Sequence, residues 1–180
     1  MPTFDIDRRR TLEKVGVETV DRILSSDDEI VAFELFKRNI LPFRDYIGDD
    51  PALARMYHDW MITIALRSKH RGIRITAIEQ LYELDDIEGL FRVIKETPYD
   101  KDRRICINLI LESCREYVSG SPLVTLSHKL GVGTGGIRVK PRNWLNELSR
   151  LPSVIPDYEL RKETAVKVYQ LLKQYRPAKA

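Results

Sequence analysis

The chain has 180 residues, 43% hydrophobic and 32% charged, enough for one soluble fold with a sizeable core and too apolar for intrinsic disorder. Thirty Lys and Arg stand against 27 Asp and Glu, and a net charge of +3 is too small to imply nucleic acid or an anionic membrane from bulk charge alone. No window approaches ~18 uninterrupted apolar residues and the N-terminus lacks the apolar core of a signal peptide, so the expectation is a cytoplasmic protein with no membrane span.

Residues 1–8 read as a flexible arm, with Asp5 or Asp7 available to cap a first helix in which Leu12, Val15, Val20, Ile23 and Leu24 recur at helical spacing. Ser26-Asp27-Asp28-Glu29 has the form of a capping box, with the serine oxygen meeting an orphan amide and the glutamate returning to the serine N–H. It introduces an apolar run from Ile30 to Ile47, which Pro42 should kink or divide. Gly48-Asp49-Asp50-Pro51 stops one helix and starts the next, because Asp50 can cap it and proline is tolerated in a first turn. Leu53, Met56, Tyr57, Trp60, Met61, Ile64 and Ala65 then form an apolar stripe suited to core packing.

From Lys69 to Val118 one helical phrase occurs twice. Ile73-Arg74-Ile75-Thr76-Ala77-Ile78 overlies Arg103-Arg104-Ile105-Cys106-Ile107-Asn108, and Leu81 overlies Leu111, at a register of 30 residues. Ile73, Ala77, Ile78, Leu81 and Leu84 are predicted to face inward, Asp85-Asp86 to turn and cap, and Ile87, Leu90, Phe91 and Ile94 to form the return helix. Thr97-Pro98-Tyr99-Asp100 ends it, and Ile105 to Val118 is again helical, with Leu109, Ile110, Cys114 and Tyr117 inside. Cys106 and Cys114 would lie about 12 Å apart along that helix, too far for a disulfide, and read as buried thiols in a reducing compartment.

Ser119-Gly120-Ser121-Pro122 breaks the pattern where a return helix is due. A short helix from Pro122 to Leu130, the glycine cluster 131–136 and an extended or strand-like Ile137-Arg138-Val139-Lys140 follow. Pro141 begins a short helix carrying Trp144, Leu145 and Leu148; Leu151 to Pro156 reads as extended. The last helix, capped by Asp157, carries Leu160, Ala165, Val168, Tyr169 and Leu172. The plan is a single helical domain over 9–176 with an insertion at 119–156, and a flexible tail at 177–180. The basic bias is local, since Lys129, Arg138, Lys140, Arg142 and Arg150 oppose only Glu147 between residues 121 and 150.

Ile73-Arg74-Ile75-Thr76-Ala77, continuing through Leu81, Leu84, Asp85, Leu90 and Ile94, resembles a HEAT-like repeat: an apolar-Arg pair and a small residue, then leucines, a turn aspartate and an apolar return helix. A second copy begins at Asp100 with Arg104 four residues later, whereas His70 stands where the first copy would carry its aspartate. The resemblance spans 69–118 and implies an all-α superhelix of stacked helix pairs with a concave face, usually for a protein. An irregular helical bundle is the other all-α reading. Some HEAT-like proteins bind nucleic acid along a basic groove; here Arg71, Arg74, Arg103 and Arg104 would join Lys129, Arg138, Lys140 and Arg142, since cationic forks suit carboxylates or phosphates. Otherwise the repeat arginines are solvated or paired within the ladder.

No catalytic motif stands out. Gly131-Val132-Gly133-Thr134-Gly135-Gly136 has the letters of a dinucleotide fingerprint but not the strand before it and helix after it that such chemistry needs. Leu126 to Val132 resembles the first helix and turn of a helix-turn-helix, yet three glycines among residues 133–136 occupy the place of a recognition helix. His58, His70 and His128 fall on different elements, His58-Asp59 lacks the upstream histidine of a metal phosphohydrolase, and the cysteines lack zinc spacing. The expectation is a non-enzymatic scaffold with no cofactor or metal, binding a protein or alternatively nucleic acid.

Overall fold

The computed structural model describes residues 3–47, 50–118 and 144–174. The fold is all-α, with no strand among the described residues. The chain forms two compact units, Met1–Leu81 and Tyr82–Ala180.

In the first unit, α1 (Thr3–Ser25) packs on α2 (Glu29–Leu35), on the π-helical turn Phe36–Ile40 and on α4 (Pro51–Arg67). Helix α1 starts at Thr3, inside the segment expected to be an arm, because residues 3–8 contain neither Pro nor Gly to stop it. Its buried side is Gly16, Thr19, Val20 and Ile23; Val15 is 46% exposed and faces away from the core. The cap of α2 is Asp28, not Ser26. Asp28 Oδ1 accepts from the Ile30 and Val31 N–H groups at 2.8 and 3.1 Å from an extended backbone, while the Ser26 hydroxyl donates to the Asp28 carbonyl.

Pro42 divides the following run as expected. It has no N–H for the carbonyl four residues back, and the helix passes through the π turn into a 3-10 turn at Leu41–Phe43 before α3 (Arg44–Ile47). Asp50 caps α4 through the Ala52 and Leu53 N–H groups at 2.9 and 3.3 Å. Tyr57, Trp60, Met61, Ile64 and Ala65 are buried as the stripe predicted. Gly16 admits Trp60 against α1: a Cβ at position 16 would lie 1.9 Å from the indole. The Phe43 and Trp60 rings meet edge to face at a centroid separation of 5.0 Å. Gln80 of α5 (Arg71–Glu83) accepts from the Tyr57 hydroxyl at 3.3 Å.

The second unit is built on α7 (Asp100–Val118), which packs on α6 (Ile87–Glu96), α8 (Trp144–Val154) and α9 (Tyr158–Gln174). The turn into α6 uses Asp85 in the left-handed region, φ 58°, a conformation aspartate tolerates, and Asp86 as the cap on the Gly89 N–H at 2.9 Å. Leu90, Phe91, Ile94, Cys106, Ile110, Cys114, Leu148, Leu151 and Ile155 fill the core. Neither cysteine forms a disulfide; both thiols are buried, and burial pushes Cys114 up to about 12.

One expectation changes here. Leu151 to Val154 is helical, not extended: Pro152 lies in the last turn of α8, and the Ser153 hydroxyl and Ile155 N–H close that end on the Arg150 and Pro152 carbonyls. On α9, capped by Asp157 through Leu160 N–H at 2.7 Å, the buried row is Leu160, Thr164, Val168 and Leu171. Ala165, Tyr169 and Leu172, carried by the same helix, are exposed. Thr164 is an amphipathic side chain that hydropathy ranks as polar.

Candidate functional site

The arginines singled out in the sequence separate into two kinds. Arg74 and Arg103 are buried, 4% and 7% exposed, whereas Arg71 and Arg104 are exposed. The buried pair occupy equivalent places in two helix junctions. Helix α4 ends at Ser68 and α6 at Thr97 in nearly the same backbone geometry, φ/ψ −62/135° and −64/133°. Each hydroxyl accepts an N–H two residues on, from His70 at 3.3 Å and Tyr99 at 3.2 Å. Six residues after each hydroxyl an arginine turns back. Arg74 donates to the Ser68 and Lys69 carbonyls at 2.9 and 3.0 Å; Arg103 donates to the Ile94 carbonyl at 2.8 Å, to the Thr97 carbonyl and to the Asp100 carboxylate. Helix C-termini leave carbonyls without partners, and a guanidinium with five donors satisfies several at once.

The equivalent arginines are therefore 74 and 103, a register of 29 where the sequence overlay used 30 and set Arg74 on Arg104. A third arginine repeats the device on the last hairpin, where Arg161 donates to the Ile155 and Pro156 carbonyls at 2.8 and 3.1 Å. Nothing in the apolar pattern around 155 announces it, but an arginine four residues past the capping position is visible in all three segments.

The exposed member Arg104 reaches Glu163 on α9 at 3.2 Å, and Lys167 holds the same carboxylate at 2.7 Å. Lys167 first and Arg104 second keep the Glu163 carboxyl below its ordinary value. These groups edge a surface groove of about 600 Å³ with Lys162, Leu160 and Val166. Arg71 lies in the first unit and is not among the residues lining that groove. Lys129, Arg138, Lys140 and Arg142, with the glycine cluster and the helix-turn-helix-like stretch, lie outside the described residues. Arg150, the remaining cation of that region, clamps Glu88 through two nitrogens at 2.7 and 3.1 Å, meets Glu147 at 3.1 Å and covers the Phe91 ring at 4.9 Å.

In the first unit a second groove, about 610 Å³, runs between α1 and the first three turns of α4. Among the described residues no cluster of three or more His, Cys, Asp or Glu is placed to hold a metal ion, and no helix is long and apolar enough to cross a membrane. His58 and His70 lie on different elements; His70 Nε2 stands 3.0 Å from the Ser26 carbonyl, beside the Lys69–Asp27 ion pair. No family model, curated protein or solved structure matches the chain.

Proposed function

We propose that the chain is a non-enzymatic helical scaffold of HEAT-like type whose role is to bind another protein. The observation that carries this reading is large apolar side chains left on outer helix faces. In the first unit Ile30, Val31 and Phe33 on α2 are 77, 50 and 37% exposed. In the second, Tyr158, Val166 and Tyr169 on α9 are 68, 52 and 58% exposed. Such rows on a helical array suit burial against a partner more than solvation. The HEAT-like part rests on the arginine junction recurring at Arg74, Arg103 and Arg161, since a stack of similar helix pairs repeats its local contacts.

The burial of Arg74 and Arg103 favours a protein over nucleic acid, because both guanidinium groups are committed to carbonyls instead of being presented to phosphates. The test is a salt titration of the full chain against fluorescent duplex and single-stranded nucleic acid, run beside capture of protein from a lysate. Protein retained at about 0.15 M salt, with nucleic-acid affinity absent there, supports the reading. Nucleic-acid binding whose affinity falls steeply with salt, and which Arg71→Glu or Arg104→Glu weakens, overturns it.

A further inference from the structure

The groove between α1 and α4 inverts the charge of the molecule around it. The chain carries +3, yet among the described residues the groove is edged by Glu13, Asp50 and Asp59 with Arg55 as the one cation. Its apolar lining includes Val17, Met56 and Trp60. Val17 is 46% exposed, so this surface is open to a ligand, and Trp60, 6% exposed, is packed against Gly16 and the Phe43 ring. A side chain already packed in place costs little to order on binding. The lining follows α4 from Asp50 to Trp60, about 15 Å or three helical turns.

We infer that this groove docks a basic amphipathic helix of a partner protein. Leu- or Phe-type side chains at i, i+3 or i+4, and i+7 would cover Val17, Met56 and Trp60, while Lys or Arg at the flanking positions meet Glu13 and Asp59. Three such anchors span about 10.5 Å, two turns, which fits within the lining, and the acidic rim selects a cationic helix over an acidic one. A small apolar ligand would use the floor but leave the rim carboxylates unmatched. The inference rests on the protein-binding reading above and specifies the partner's chemistry at this site.

The probe is a fluorescein-labelled helical peptide with Leu at the anchor positions and Lys at the flanks, titrated with the full chain by anisotropy at about 0.15 M salt. A matched peptide with Glu for Lys is the reference. The expected result is saturable binding of the Lys peptide only, weakened about tenfold in the Glu13→Lys/Asp59→Lys double variant. The control pair Glu79→Lys/Glu112→Lys changes net charge equally at exposed positions outside the lining and should leave affinity within about twofold. Val17→Glu, at an exposed site that should not disturb folding, is expected to abolish the apolar contact and with it the binding. Equal weakening by the control pair, equal binding of the Glu peptide, or no binding at all would overturn the assignment. Protein capture by the Glu13→Lys/Asp59→Lys chain separates the two readings. Capture equal to wild type removes the groove and leaves the scaffold function, whereas absence of capture by the wild-type chain itself removes both.

Discussion

The α4–α5 junction and the α6–α7 junction solve the same problem with different side groups. In both, a hydroxyl residue ends one helix and a buried arginine four residues past the next cap returns to the loose carbonyls. At the second, Asp100 adds a carboxylate to the arginine; at the first, the matching position is occupied by Arg71. That junction is instead tied outward, through Lys69 to Asp27 and His70 to the Ser26 carbonyl at the α1–α2 turn. The arginine-to-carbonyl contact is what both junctions share, and the acid is an accessory. An Asp–Arg ladder is not needed to build this turn, so Arg71 at the position matching Asp100 is compatible with it.

The largest effect that bears on this comparison is removal of the arginines. Arg103→Ala leaves buried carbonyls at the end of α6 without their donor and should cost about 3–4 kcal/mol in urea unfolding, with Arg74→Ala at about 2–3 kcal/mol. If the ion pair between Asp100 and Arg103 were the main element, Asp100→Asn would cost as much as Arg103→Ala. Asp100 is 80% exposed, so Asp100→Asn should cost under about 1 kcal/mol, and parity with Arg103→Ala would reverse the ranking of carbonyl over carboxylate.

Between these falls Gly16→Ala, which probes a contact of the first unit that uses no arginine. Alanine normally gains up to about 1 kcal/mol over glycine in a helix interior. Here its Cβ would strike the Trp60 indole, a rigid ring that cannot fold aside, so a net loss of about 2 kcal/mol is expected, with a changed near-ultraviolet dichroism of tryptophan. A stabilised variant would show that α1 and α4 are not in this close contact.

The all-α class and most helix ends were legible because capping is local chemistry. Asp50, Asp86 and Asp157 each act within a few residues of their own position, and no distant contact needs to be known. The repeat register was not legible from apolar spacing. Arg103 and Arg104 are adjacent, the surrounding Ile and Leu residues tolerate a shift of one, and only the distance back to Thr97 decides which arginine turns inward. The Ser26 cap failed for a similar reason: Asp28, a charged acceptor at the position where the backbone is extended, takes the amides first. The charge of the candidate site was legible only as a list of residues. Sequence does not say that Arg74 is buried while Arg71 is exposed, three positions apart on one helix, and it gives no hint that Gly16 and Trp60 meet.

The smallest expected effect concerns the outward tie of the first junction. Asp27 is exposed, and its hydrogen bond with Lys69 holds the carboxyl below its ordinary value, with the Lys69 charge as the next cause. A carboxylate whose value is lowered by folding contributes stability above the ordinary carboxylate range, and that contribution is lost as pH falls through the lowered value. Asp27→Asn should therefore differ from wild type at neutral pH and low salt, and the two stability curves should converge both on acidification and on raising salt. Lys69→Met removes the same pair and should behave alike. If Asp27→Asn instead remained destabilised in acid, the charge of Asp27 would not be the cause, and the two junctions would not differ by the placement of an ion pair.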